Sequence, residues 1–212
     1  MLEPLADLQL FEASHLYRYK GDWLNCSVSE VVGRDLKPFA RQMIEQTKDG
    51  PEGWAERGKS IHEWLRGFLT GEPVETDERW KPWTDALAKQ EIFSDNEVLA
   101  CEYLICDPER SVGGQLDFLT RTIDAETGWH SVTLGDLKTV KTASALSSRK
   151  PATAQLGAYL RMLNEHHRLY IDKCVTVISA PGRCKIIEKD PDECYLAWDE
   201  AWARYSAGQP DF

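Results

Sequence analysis

The sequence predicts an α/β protein, a mixed β-sheet core flanked by helices with a helical N-terminal extension. Beyond residue 97 the elements read strand, strand, strand, helix, strand, strand. Before residue 97 the apolar positions recur mostly at helical spacing. Residues 113–138, GGQLDFLTRTIDAETGWHSVTLGDLK, read as a hairpin: Val, Ile, Thr, Phe and Trp fill the arms, and Asp, Thr and Gly mark the tip.

Taken in order, residues 15–20 and 23–28 look like short strands around a Gly21-Asp22 turn. Ser29 is placed to cap a short helix ending near Gly33, and Pro38 suits the first turn of the next, over 39–48. A break at Asp49-Gly50-Pro51 follows. WAERGKSIHEWLRGFLTG then sets Trp54, Ile61, Leu65, Phe68 and Leu69 at helical spacing and stops at Gly71. Residues 79–93 predict another helix, with Trp80 and Trp83 as packing residues.

The character changes at residue 97. VLACEYLICD predicts a strand, and the hairpin follows, with arms at 115–123 and 129–138 and a polar tip at 124–128. Residues 139–151 read as a loop or weak helix. ATAQLGAYLRMLNEHH is a helix with Leu156, Tyr159, Leu160 and Leu163 on its apolar side. CVTVISA and RCKIIEK make a second hairpin about Pro181-Gly182, and an amphipathic helix over 191–206 carries Tyr195, Trp198 and Trp202. Gly-Gln-Pro near the end reads as a frayed tail. The expected organisation is one domain over 1–212, with a helix-rich part at 1–96, an α/β core at 97–190 and a C-terminal helix and tail at 191–212.

A length of 212 residues suits a single domain with a substantial core. A hydrophobic share of 42% and a charged share of 28% are ordinary globular values. No apolar run approaches the ~20 residues of a membrane span. The opening MLEPLADLQLFEA lacks a basic n-region, so the expected location is cytoplasmic, with no membrane partner. Six cysteines, Cys26, Cys101, Cys106, Cys174, Cys184 and Cys194, are scattered without a CxxC pair and read as reduced core thiols. His130, His166 and His167 read as surface residues. A net charge of −10 excludes nonspecific polyanion binding through the whole surface. Any nucleic-acid role must rest on local positive charge and a metal.

Register carries the chemistry. Centring the hairpin loop between Glu126 and Thr127 opposes Asp117 to Asp136, Gln115 to Lys138 and Leu119 to Leu134. Side chains alternate along a strand, so Asp136 and Lys138 share the face that carries Leu119, Leu134 and Val132, which predicts that it points inward. Two carboxylates facing each other at the end of an apolar face repel and resist desolvation. A divalent cation relieves both, and hard cations such as Mg²⁺ prefer carboxylate oxygen. The alternative is a half-exposed hairpin whose charges face water.

Residues 138–150 hold Lys138, Lys141, Arg149 and Lys150 amid Thr and Ser, with no acidic residue. This basic patch in an acidic chain leaves directly from the proposed metal site. Lys, Arg and hydroxyl groups are what a DNA backbone is bound by; a solvated loop is the alternative.

GGQLD, LGDLKT and QLGAY resemble motifs II, III and IV of the PD-(D/E)XK nuclease superfamily, in the RecB-like form GxxD, DxK(T) and QxxxY. RGKSIHEWL resembles that branch's upstream histidine helix. Together with the opening HLYRYKGDWLNCSVSEVV, the chain is similar to compact RecB-type exonucleases of phages and bacteria, over about residues 55–165. The resemblance implies a restriction-endonuclease-like fold and a Mg²⁺- or Mn²⁺-dependent DNA nuclease, an exonuclease more than an endonuclease, in recombination or repair.

Position by position, the resemblance implies that His62, Asp117 and Asp136 ligate the metal, with a backbone carbonyl, that of Leu137, completing the set. Lys138 would orient or deprotonate the attacking water and stabilise charge on the phosphate. Glu102 would hold a metal water or a second ion. Gln155 and Tyr159 would touch the phosphate or steady the lysine, and Lys141, Arg149 and Lys150 would follow the DNA backbone. Some RecB-like relatives hold an iron–sulfur cluster through one early and three closely spaced late cysteines. Here Cys174, Cys184 and Cys194 are ten apart, which argues against a cluster. The resemblance leaves room for a homo-oligomer or a recombination partner protein. The rival readings are a noncatalytic nucleic-acid-binding module and a metal-dependent phosphohydrolase of unrelated fold.

Overall fold

The central strands after residue 97 are apolar on both faces, and both faces are covered by helices. The structure, a computed structural model, describes residues 1–34, 36–50, 53–94, 96–123 and 126–208. Pro51 of the expected break, residues 124–125 of the hairpin tip and residues 209–212 of the tail lie outside them.

Strands β1 (Leu8–Phe11), β2 (Leu16–Tyr19) and β3 (Asp22–Trp23) form a small antiparallel sheet. Strand β4 (Cys26–Ser27) leads into helix α1 (Val28–Gly33), followed by α2 (Pro38–Gln46), α3 (Trp54–Thr70) and α4 (Lys81–Leu87). The main sheet takes β4 with β5 (Glu97–Asp107), β6 (Val112–Ile123), β7 (His130–Thr139), β8 (Lys173–Ala180) and β9 (Arg183–Lys189). Helix α5 (Thr153–His167) crosses from β7 to β8, which run parallel, and α6 (Pro191–Ser206) closes the chain.

One face of the sheet packs Leu116, Leu119, Leu134 and Cys174 against α1, α5 and α6. The other packs Phe118, Leu137, Val175 and Val177 against Ile61 and Leu65 of α3 and Trp83 and Leu87 of α4. Alternation produces this division along β7 and β8, whereas on β6 Leu116 and Leu119, three residues apart, both join the first face. The mixed sheet with helices on both faces is the expected fold class. Helices α5 and α6 approach closely at Gly157, where a β-carbon would strike the backbone of Cys194.

The hairpin register is the expected one from Ile123 opposite His130 to Phe118 opposite Gly135, with Leu119 opposite Leu134, but the expected pairs Asp117–Asp136 and Gln115–Lys138 do not form. Pairing of β6 with β7 stops at Phe118. The same edge of β6 is taken at Val112 and Gly113 by β4, in parallel, while β5 covers the other edge. Between β4 and β7 the β6 edge at Gln115 and Asp117 therefore has no strand partner among the described residues. The sheet splays open at this point.

Several local expectations need correction. The first helix is capped by Ser27, not Ser29: the Glu30 N–H donates to Ser27 Oγ, and Glu30 Oε2 accepts from the Ser27 N–H. Glutamate three residues after the cap closes a reciprocal pair that Ser29 has no partner for. Residues 79–93 are not one helix. Asp77 caps a 3₁₀ turn over Glu78–Trp80, Pro82 starts α4, and extended Gln90 separates it from a second 3₁₀ turn, Glu91–Phe93. Residues 8–11 form a strand that the pattern did not mark, and the turn before β3 falls at Lys20 and Gly21. Trp54 and Phe68 are 39% and 43% exposed rather than in the core. Trp54 donates to the Ile44 carbonyl and Phe68 stacks on Trp64, so each packs within its own region. His130 is exposed as expected, whereas His166 and His167 are half-buried, bonded to the Cys106 carbonyl and the Tyr103 hydroxyl.

Candidate active site

The splay of β6 from β7 opens the sheet where side chains from both helical layers can enter. Helix α3 brings His62 from one layer, and α5 brings Gln155 and Tyr159 from the other. Asp117 comes from β6, Asp136 and Lys138 from β7, and Glu102 from β5.

His62 Nδ1 lies 3.1 Å from Glu102 Oε1 and 3.6 Å from Asp117 Oδ1. One ligand atom from each of these three residues lies within 4.8 Å of the others, a group able to hold a metal ion. Asp117 turns its second oxygen to the Leu137 N–H, so the splayed strands are joined by a side chain instead of a ladder bond. The expected contact at Leu137 was through its carbonyl; the bond that the structure shows uses its N–H.

Asp136 stands just outside the three. Its Oδ1 accepts from Lys138 Nζ at 2.7 Å, and its Oδ2 is buried with no hydrogen-bond partner. Lys138 Nζ also donates to Gln155 Oε1 at 3.1 Å, and Gln155 Nε2 donates to the Tyr159 hydroxyl at 3.3 Å. The expected helix-face pair at Gln155 and Tyr159 thus steadies the lysine directly.

The electrostatics follow from burial. Burial opposes charge on His62, but Asp117 and the Glu102 hydrogen bond outweigh it and push the imidazole up to about 9. Burial pushes Asp136 up to about 6, against the pull of Lys138 and with the repulsion of Asp117 added. Burial raises Asp117 too, against the charges of His62 and Lys138. Burial and the charge of Asp117 hold the Tyr159 phenol well above its ordinary value, so its hydroxyl stays neutral.

Glu102 occupies a left-handed backbone conformation, φ 46°, in the middle of strand β5. For a glutamate inside a strand this is a strained position, and it aims the carboxylate at His62. Gln115 Nε2 donates to the Glu102 carbonyl at 3.1 Å and holds the distortion. The register placed Gln115 beside the site but gave it no role. Glu102→Gly should fold with little change in melting temperature. It loses about 1–2 kcal/mol of left-handed strain and takes on about 0.5–1 kcal/mol of glycine entropy. Mn²⁺ affinity should fall in the same variant. Glu102→Ala loses the same His62 bond but keeps the left-handed backbone, so a Glu102→Gly protein melting no higher than Glu102→Ala would show that the conformation carries no strain.

Gly114 makes room for the tyrosine: a β-carbon there would come 2.7 Å from Tyr159 Cε1. Lys141, Arg149 and Lys150 are exposed on the loop from β7 to α5, which forms a 3₁₀ turn at Ala143–Leu146. Cys26, Cys106, Cys174 and Cys194 are buried free thiols, and Cys101 and Cys184 are partly buried ones.

Fold and site together define an α/β protein with a histidine–carboxylate group and an anchored lysine at the mouth of a splayed sheet. No family model matches the chain, and no curated protein does. Solved structures match it at low identity, two of which follow. That of SSO0001 has a TM-score of 0.44 and 17% identity, covering 88% of this chain and 78% of that one. That of an alkaline exonuclease, LHK-Exo from Laribacter hongkongensis, has a TM-score of 0.39 and 17% identity, covering 85% and 87%. What the chain does is read from its own residues. Among the described residues, no helix is long and apolar enough to cross a membrane.

Proposed function

We propose that this protein is a divalent-metal-dependent DNA nuclease of the RecB-like kind, an exonuclease acting in recombination or repair. One observation carries the reading: the Lys138 ammonium is anchored between Asp136 and Gln155, next to a buried carboxylate oxygen with no partner. A buried unsatisfied carboxylate oxygen is costly unless something binds it. The donors fit Mg²⁺ or Mn²⁺, being carboxylate oxygens with one imidazole nitrogen.

His62, Asp117 and Asp136 would hold the ion, with Glu102 binding it directly or through water and the Leu137 carbonyl completing the set. When bound, the ion acts as a Lewis acid on the phosphoryl oxygen and lowers the pKa of adjacent water. Lys138 places a fixed positive charge where the phosphate gathers negative charge, and it orients the attacking water. Asp136 and Gln155 hold the ammonium in place, so little reorganisation is needed during the reaction. Tyr159, neutral and buried, fixes the Gln155 amide in the orientation that offers its oxygen to the lysine.

Degradation of end-labelled linear and circular DNA, with Mg²⁺, Mn²⁺ and EDTA, tests the proposal. Linear DNA should be degraded from its ends with either metal, circular DNA spared, and EDTA should stop the reaction. Binding without degradation in any metal would favour a noncatalytic nucleic-acid-binding module. The loop from Lys141 to Lys150 is expected to follow the backbone. Replacing Lys141, Arg149 and Lys150 with Gln should weaken DNA binding and flatten its salt dependence, because fewer counterions are released. An unaltered slope would make the patch a solvated loop.

A further inference from the structure

Helix α3 buries a guanidinium that no carboxylate among the described residues neutralises. Arg57 lies in line with Ile61 and Leu65 and is only 5% exposed. Arginine this deeply buried is nearly always paired, because an uncompensated charge in the interior is costly. Among the described residues Arg57 has no ion pair. Its Nε donates to Thr139 Oγ1 at 3.3 Å, its guanidinium carbon stands 5.9 Å from the Trp83 ring centroid, and among the described residues no hydrogen bond reaches its terminal nitrogens.

The niche is built rigidly. Trp83 Nε1 donates to the Val140 carbonyl at 2.8 Å, and the Val140 N–H donates to the Ser179 carbonyl at 2.9 Å. Thr139 is the last residue of β7 and directly follows Lys138. The exposed loop carrying Lys141, Arg149 and Lys150 begins just beyond it. Thr139 thus adjoins the site lysine along β7 and faces α3, while Lys138 faces α5.

We propose that Arg57 and Thr139 form a second phosphate site, which takes the internucleotide phosphate adjoining the one at Lys138. The proposal rests on the nuclease reading and names a further contact of that site. A planar guanidinium fork matches the oxygens of a phosphate, and a threonine hydroxyl is a common backbone contact. A bound phosphate would give the buried charge the counter-ion that the protein itself does not provide. The site orders the strand in register with the chemistry and reads no sequence.

The test compares the full-length wild type with Arg57→Met, using a short labelled DNA with Ca²⁺ in place of Mg²⁺. Arg57→Met should bind DNA about tenfold more weakly or worse, the scale of a lost hydrogen bond to a charged group. Its logarithmic salt slope should be shallower by about one phosphate contact. Mn²⁺ affinity should stay the same, and the melting temperature should be equal or higher, because methionine removes an uncompensated buried charge. A neutral methylphosphonate at the adjoining linkage should weaken binding to wild type but leave Arg57→Met unaffected.

Equal affinity and slope in the two proteins would overturn the site, as would a methylphosphonate effect of the same size in both. A melting temperature lowered by many degrees with unchanged DNA affinity would make Arg57 a packing residue stacked on Trp83. If Arg57→Met does not fold, Arg57→Gln takes its place, removing the charge while keeping a polar stem, and the same linkage-specific loss is expected. A wild type that neither binds nor cuts DNA overturns the nuclease reading and this site with it. A wild type that cuts DNA while Arg57→Met binds equally well overturns only the site.

Discussion

Lys138→Ala should leave metal affinity nearly intact and cut the rate of DNA cleavage by at least about a hundredfold, the scale of a single electrostatic or acid–base group. The geometry explains both halves of this expectation. The ammonium donates to Asp136 Oδ1 and Gln155 Oε1, so it is held beside the donor group without belonging to it. Its removal takes away a charge that matters most as the phosphate passes through the transition state. Single-turnover cleavage of a labelled duplex at saturating Mg²⁺ measures the chemical step, and Mn²⁺ calorimetry measures the affinity. A variant cutting at more than about a tenth of the wild-type rate would remove Lys138 from the chemistry. Gln155→Ala should show a smaller loss of the same kind, because it frees the lysine without removing it.

Asp117→Asn should weaken Mn²⁺ binding by more than about tenfold and abolish cleavage at moderate metal concentration. Removing groups that merely support metal ligands already costs ten- to a hundredfold in affinity. The fold should survive. An amide oxygen can still accept the Leu137 N–H, and the variant no longer buries a carboxylate whose pKa burial has raised. Its melting temperature without metal should stay close to that of the wild type, because relief of the buried carboxylate offsets the charge lost beside His62, a result that separates a lost ligand from a damaged core. Unchanged Mn²⁺ affinity would show that Asp117 only ties β6 to β7.

The hairpin was legible because its inward residues, Leu119, Leu134 and Val132, allow only one register. Asp136 beside Lys138 follows from alternation alone, and Gln155 above Tyr159 follows from helical spacing. Two further signals were also present in the sequence. Ser27 and Glu30 stand at capping-box spacing, and Arg57 follows helical spacing into the buried face of α3. The opening of the sheet was not legible. It lies between the last β6–β7 pair and the pairing of Cys26 with Val112, a contact between residues far apart in sequence that no local pattern encodes. That opening separates Asp136 from the group of His62, Glu102 and Asp117. The left-handed turn at Glu102 was equally hidden, since ACEYL reads as ordinary strand and glutamate does not favour that conformation.

The donor group has no local origin. Its residues come from β5, β6 and helix α3, so the chain assembles the group only when it is fully folded. An ion held there would therefore bind the folded form and ignore the unfolded one. At a hundredfold excess over its dissociation constant, such an ion would deepen the native well by about 2.7 kcal/mol. The ion's supply would then set how long the chain survives proteolysis as well as how fast it works, and a cell depleted of the metal would lose the protein along with its activity.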